Sequence, residues 1–146
     1  MKIYLASSWR NEDQPEVLQI LRTAGHEVYD FRNPREGDKG FGWTQIDEDW
    51  LQWSPRRFVS ALAHPIAQAG FKSDFDAMKW ADCGVLLLPC GRSAHLEAGY
   101  FVGAGKPLHI LLQSRGFEPE LMYLMATSVN TQADELLNAL RKDGVR

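Results

Sequence analysis

The sequence predicts a single three-layer α/β domain, residues 1–146, in which helices cover a parallel five-stranded sheet. Three observations predict it. Strand-like and helix-like segments alternate along all 146 residues, the pattern that builds parallel sheets. Val85–Leu88 is an unbroken apolar run ended by Pro89 and Gly91, as expected of a strand buried on both faces. Ile3–Ala6, Pro15–Ala24 and Glu27–Phe31 form a β-α-β opening whose crossover sets its two strands parallel.

Taken in order, Ile3–Ala6 is the first strand. The helix over Pro15–Ala24 places Val17, Leu18 and Leu21 on one face, and Gly25 follows where a terminating glycine is expected. After the second strand, Glu27–Phe31, the Asn, Pro, Gly and mixed charge of Arg32–Gly42 read as a loop. Trp43–Ala69 holds helical fragments marked by Trp50, Trp53, Phe58, Leu62 and Ile66 and broken at Pro55 and Pro65. A helix over Ser73–Ala81 leads into the strand Cys83–Leu88, and an almost wholly apolar helix runs from Ser93 to Gly105. Gly105-Lys106-Pro107 turns into the strand Leu108–Leu112. A short helix near Glu118–Ala126, a strand near Ser128–Asn130 and a closing helix over Gln132–Lys142 complete the alternation.

Bulk properties exclude several classes. A formal charge of -3 and the lack of a long basic run argue against polymeric nucleic acid as a partner. The apolar start Met1–Ala6 is too short for a signal peptide, and no segment approaches the roughly 20 apolar residues of a membrane span. A soluble cytoplasmic protein without a membrane partner is the expectation. Cys83 and Cys90 flank one strand too far apart to bond to each other, so reduced thiols are expected. His26, His64, His95 and Asp30 lack metal-ligand spacing. No glycine cluster follows the first strand, which excludes a dinucleotide fingerprint and a phosphate loop. The expectation is no metal and no cofactor.

Glu97 is the acidic side chain of the apolar helix after Cys83–Leu88, at the sheet edge where open α/β folds hold their ligands. A surface glutamate favoured by the helix dipole is the alternative. A capping box fails by one position, because Leu96 stands three residues after Ser93. With Leu96, Ala98, Phe101 and Val102 as neighbours, burial is expected, and a buried carboxylate must be paired or used.

Other candidates follow the same edge. Tyr4, between Ile3 and Leu5, carries a phenol that needs a partner if buried; a core tyrosine with one hydrogen bond is the competing reading. Ser7, Ser8 and Arg10 precede the first helix, where N–H groups and a guanidinium receive an anion or sugar hydroxyls. Asp74 and Asp76 read as first-turn acids of the helix before the central strand, a placement explained by the dipole alone. Cys90 near His95 raises a thiol nucleophile, without an evident third group to orient it. Phe41, Trp43, Trp50 and Trp53 are either core or a movable cover that stacks a base.

In these motifs the chain resembles the nucleoside 2-deoxyribosyltransferase family, which includes N-glycosidases acting on nucleoside monophosphates. The resemblance covers most of the chain. It rests on Lys2-Ile3-Tyr4 with Ser8 and Arg10 downstream, on Asp74 eight residues before Asp82, and on Glu97-Ala98-Gly99-Tyr100 followed by Gly103, Gly105, Lys106 and Pro107. It implies a flavodoxin-like, broadly Rossmann-like fold, Glu97 as nucleophile, Tyr4 as the group that orients it and Asp74 at the leaving base. It further implies a substrate pocket that draws on Ser8, Arg10, Gly91, Ser93 and His95, beside which the aromatic reading places Trp43 against the base, and a homodimer or higher homo-oligomer whose active sites are completed across the subunit interface. Six residues before the nucleophile the transferases carry an acid and the monophosphate glycosidases a serine; this chain has Gly91. Ser93 and His95 stand where relatives often have glycine.

The implied chemistry is displacement at the anomeric carbon through a covalent glycosyl-Glu97, after which water or a second base accepts the sugar. The nucleophile must be ionised and the leaving base must gain a proton. A non-catalytic nucleotide-binding sensor on the same scaffold is the alternative, and a cysteine hydrolase using Cys90 is a further rival.

Overall fold

The computed structural model describes residues 1–113 and 117–145. Its strands are β1 (Lys2–Ala6), β2 (Glu27–Tyr29), β3 (Cys83–Leu88), β4 (Leu108–Leu112) and β5 (Ser128–Asn130), and its helices are α1 (Gln14–Thr23), α2 (Pro55–Ala61), α3 (Pro65–Trp80), α4 (Arg92–Gly103) and α5 (Ala133–Asp143). They fall into two compact units, one made of Met1–Asp30 with Trp80–Arg146 and the other of Phe31–Lys79.

The first unit carries the sheet, parallel throughout, in the order β2-β1-β3-β4-β5. This is the flavodoxin-like order, and its switch point lies between β1 and β3, where ligands of such folds bind. Alternate side chains of each strand serve opposite faces. Ile3, Leu5, Cys83, Val85, Leu87 and Leu111 form one core with Val17 and Leu21 of α1 and Leu136 and Leu140 of α5. On the other face Phe101 of α4 lies on β3 so closely that a Cβ at Gly84 would stand 2.7 Å from its ring. Tyr4, paired in register with Gly84, meets the same ring at a centroid distance of 5.9 Å.

All five strands fall where the sequence places them, with β2 ending two residues early at Tyr29. Gln132 and Glu135 form the reciprocal capping box that starts α5. The expected helix near Glu118–Ala126 is a 3-10 turn, Leu121–Met125.

The second unit corrects two expectations. Pro55 and Pro65 begin helices rather than break them, because a proline at the first helical position lacks only an N–H that would have no intrahelical partner. Ser54 caps α2, accepting from Arg57 N at 3.2 Å. The helix expected over Ser73–Ala81 is the second half of the 16-residue α3, so Asp74 and Asp76 lie well inside a helix and not in its first turn. The dipole therefore explains neither. Phe41 lies directly on α3: a Cβ at Gly70 would stand 2.9 Å from that of Phe41. Trp43 is packed edge-on against Phe41, Trp53 and Phe58 at 4.8, 5.6 and 5.7 Å. Trp53 in turn donates to Asp47 at 2.6 Å and lies under the Arg57 guanidinium. Among the described residues no helix is long and apolar enough to cross a membrane.

Candidate active site

At the carboxyl edge, side chains sew the loop after β1 to the loop after β3. Ser7 Oγ donates to the Leu87 carbonyl at 3.1 Å and Asn11 Nδ2 to that of Pro89 at 3.1 Å. Asn11 is buried and its Oδ1 accepts from Asp13 N at 2.9 Å. The sequence reading passed over this residue; an Asn two positions before an acid at a helix start is the Asx-turn signal that marks it. Ser8 Oγ accepts from Arg10 N at 3.1 Å, which tightens the turn that presents the exposed Arg10 side chain.

Glu97 occupies an informative place on α4. The buried residues of that helix are Ala94, Ala98 and Phe101, a stripe at helical spacing in which Glu97 stands one turn before Phe101. Helices of a parallel sheet run back against the strands, so one turn towards the α4 N-terminus is one turn towards the carboxyl edge. Glu97 thus shares a stripe with the ring that Tyr4 touches, and is half-buried. Two expectations change. Leu96 is 79% exposed and does not enclose the acid, since neighbours in sequence point some 100° apart on a helix. The N-cap is Gly91 and not Ser93, and the first turn holds no acid, so Glu97 lies beyond the reach of the dipole that was its competing explanation. Tyr4 is buried and stacked on Tyr29, with 5.3 Å between centroids.

Gly91 offers no side chain to cap α4, and a Cβ added there would meet nothing within 4 Å. Ser93 is exposed on the first turn. His95 reaches back to the Gly91 carbonyl, 2.8 Å from Nδ1, and outward to Tyr123 Oη, 2.9 Å from Nε2. Cys90 Sγ is 3.6 Å from His95 Nδ1. Burial, and after it the charge of Glu97, push that thiol up to about 12, so it stays protonated and unactivated at neutral pH. A thiol so held argues against the cysteine-hydrolase reading. Cys90, His95 and Tyr123 line a cavity of about 390 Å³ with Leu88, Pro89, Phe117, Glu118 and Glu120. Tyr123 is the part of this constellation that no sequence motif marks.

In the other unit, Asp74 lines a cavity of about 190 Å³ with Phe31, Phe41, Gln45, Gly70 and Ser73. Such a volume is below the roughly 300–1,000 Å³ of drug-sized ligand pockets and suits one aromatic ring system. Trp43 backs Phe41 and does not line it. Asp76 is clasped by Lys72 and Lys79, the latter at 2.8 Å, and these partners hold its carboxyl down at about 2. Asp82, the second acid of the spaced pair, accepts from Lys2 N at 2.7 Å at the amino edge, where it fastens β1 to the start of β3. Among the described residues no three His, Cys, Asp or Glu side chains group closely enough to hold a metal ion.

No family model matches the chain, and no curated protein does. Solved structures do. A 2-deoxyribosyltransferase from the psychrotolerant bacterium Bacillus psychrosaccharolyticus is 26% identical, with 94% of this chain and 91% of that one covered and a TM-score of 0.65. The Clostridium botulinum CMP N-glycosidase is 17% identical over 97% of this chain and 99% of its own, with a TM-score of 0.52. A conserved protein from Enterococcus faecalis V583 is 14% identical over 98% of each chain, with a TM-score of 0.59. The latter two likenesses are of fold. In its fold, over nearly its whole length, the chain is similar to the nucleoside 2-deoxyribosyltransferase family.

Proposed function

We propose that this protein is an enzyme that breaks the N-glycosidic bond of a nucleoside or nucleoside monophosphate, by hydrolysis or by transfer to a second base. The observation that carries the reading is Glu97, a half-buried carboxylate on the sheet-facing stripe of α4 at the switch-point edge of the sheet. Its similarity to a 26%-identical 2-deoxyribosyltransferase supports it.

A Glu97 carboxylate oxygen attacks the anomeric carbon as the bond from that carbon to the base nitrogen breaks. The bonding pair leaves with the base, which takes up a proton, and the sugar is held as a glycosyl ester of Glu97. Water, or the N–H nitrogen of an incoming base, then displaces the carboxylate, which returns ionised, and gives its proton back to the group that protonated the departing base. Tyr4 orients Glu97. Asp74 supplies or relays the proton to the leaving base, a role that rests on the resemblance and asks for a protonated carboxyl at the moment of departure. Ser8, Arg10, Gly91, Ser93 and His95 receive the sugar side. Trp43 supports Phe41 in a segment, residues 41–53, that closes over bound substrate. The functional unit is a homo-oligomer.

Chromatography of reactions with a panel of nucleosides and monophosphates, with and without an acceptor base, tests the reading. Free base or exchanged nucleoside is the expected product. Intact-mass analysis of a reaction quenched without acceptor should show one added sugar, lost in Glu97→Gln. Binding without base release from any member of the panel would overturn the catalytic reading in favour of a sensor.

A further inference from the structure

The helix α3 carries a glycine in its interior, Gly70, a residue that weakens a helix unless its missing side chain is needed. The need lies against its bare Cα. A Cβ at Gly70 would stand 2.9, 3.0 and 3.1 Å from Cβ, Cγ and Cδ2 of Phe41, whereas unstrained carbon contacts begin at roughly 3.5 Å. Gly99 and Gly103 of α4, by contrast, have nothing within 4 Å of that position. Phe41 cannot yield by turning its ring alone, because the contact includes its own Cβ and because Trp43 stands edge-on to it at 4.8 Å. Trp43 is backed in turn by Trp53 and Phe58. A side chain at position 70 therefore lifts Phe41 and its backbone off α3 by roughly half an ångström or more.

That contact belongs to the cavity of about 190 Å³. One wall of the cavity is α3, with Gly70, Ser73 and Asp74; the other is the chain that precedes it, with Phe31, Phe41 and Gln45. The walls meet where Phe41 lies on Gly70, so this contact sets how closely they approach. Aromatic faces beside an amide, a hydroxyl and a carboxylate suit a flat heterocycle with a hydrogen-bonding edge. The volume, well below that of a drug-sized pocket, fits a six-membered ring and leaves little room for a second ring fused to it.

We propose that Gly70 is a specificity-determining residue: it seats Phe41 on α3, keeps the cavity narrow and so selects nucleosides whose base is a single ring, the pyrimidines, over the two fused rings of purines. This rests on the reading above, in which Asp74, on the same wall, meets the leaving base. Phe41 is also the first residue of the segment that closes over substrate, so Gly70 is the surface on which that segment comes to rest.

The test titrates free cytosine and uracil, and free adenine and hypoxanthine, into wild type, Gly70→Ala, Phe41→Ala and the double variant. Initial rates of base release from the corresponding ribo- and deoxyribonucleosides give the same comparison as kcat/KM. Wild type should favour the single-ring compounds by about tenfold or more, and each single variant should reduce that preference by about tenfold, a usual size for a change of pocket shape. The double variant should stay within about twofold of Phe41→Ala, because the ring that Gly70→Ala displaces is gone. A wild type without the preference, an unchanged ratio in folded Gly70→Ala, or shifts that add in full in the double variant overturn the proposal while base release continues. If Gly70→Ala does not fold, an unchanged ratio in Phe41→Ala overturns it instead. Free bases bound in the expected ratios, with no base released from any nucleoside, overturn the catalytic reading and leave the selectivity of the cavity standing. Neither binding nor release overturns both.

Discussion

At the carboxyl edge, His95 bridges the Gly91 carbonyl and Tyr123 Oη and borders a cavity. At the opposite, amino edge, His109, the second residue of β4, is fully buried. Its Nε2 lies 2.9 Å from Asp143 Oδ2 and its Nδ1 2.8 Å from Ser128 Oγ. Asn130 Nδ2 donates to that Ser128 oxygen at 2.8 Å and to the Ile110 carbonyl at 3.1 Å. With a neutral histidine Asn130 gives to Ser128 and Ser128 to Nδ1, which leaves the Nε2 side of the ring facing the Asp143 carboxylate at 2.9 Å. This string has the composition of a catalytic triad, but none of its members lines the cavities described above. It anchors the end of α5 to β4 and β5. Hydrogen-bonded order alone therefore does not identify chemistry; an opening for substrate beside the group does.

The sharpest break in this comparison comes from Glu97→Ala, which should lower base release by about a thousandfold or more while the fold survives, since it removes the proposed nucleophile from a helix that accepts alanine. Tyr4→Phe should cost less. Near-normal turnover by folded Glu97→Ala would defeat the mechanism. Within α3 the same distinction separates a carboxylate beside a cavity from one held by partners: Asp74→Asn should reduce kcat about a hundredfold with a smaller effect on KM, and Asp76→Asn, already clasped by two lysines, should reduce it far less. Equal kcat values for the two variants would reject Asp74 as the proton source.

The amino edge should answer in stability instead. Asp143→Ala strands the buried, neutral His109 and should cost about 1–2 kcal/mol in denaturant unfolding, with kcat per folded molecule unchanged; a loss of kcat at full folding would join the two edges functionally. Burial lowers the His109 pKa, against the opposing pull of Asp143. Below 6.5 the unfolded chain then binds the proton more readily than the folded one, so this contribution is intact above 6.5 and is lost as pH falls towards the depressed native value. His109→Asn should flatten that part of the stability profile. The smallest effect is expected at Gly91, where a side chain meets open space: Gly91→Ser should change stability by only a few tenths of a kcal/mol and, through the resemblance, move preference towards monophosphates. Competition between a nucleoside and its monophosphate measures the shift.

Much of the fold was legible because buried parallel strands write themselves as apolar runs. Cys83–Leu88, Leu108–Leu112 and Ser128–Asn130 could be read to the residue. The region of residues 43–80 was less so, because proline breaks a helix in its interior and starts one at its first position, and the sequence pattern does not separate the two until the chain on each side is placed. At the site, Glu97 was visible as an acid within an apolar helix, but its neighbours were misjudged: adjacency in sequence put Leu96 beside it, whereas helical geometry turns Leu96 outward and brings Phe101 into line.

By itself the sequence determined the layer architecture, the strand that leads to the proposed site and the acid that follows it, because periodicity and turn residues are local properties of the chain. Tertiary structure decided which polar groups have work to do. Asp82, Asn11 and Ser7 were assigned to fastening, His109 to a sealed anchor and His95 with Tyr123 to the lining of a cavity. Those assignments depend on contacts between residues such as His95 and Tyr123, 28 positions apart, and on whether solvent and ligand reach them; neither is encoded in any short stretch of chain.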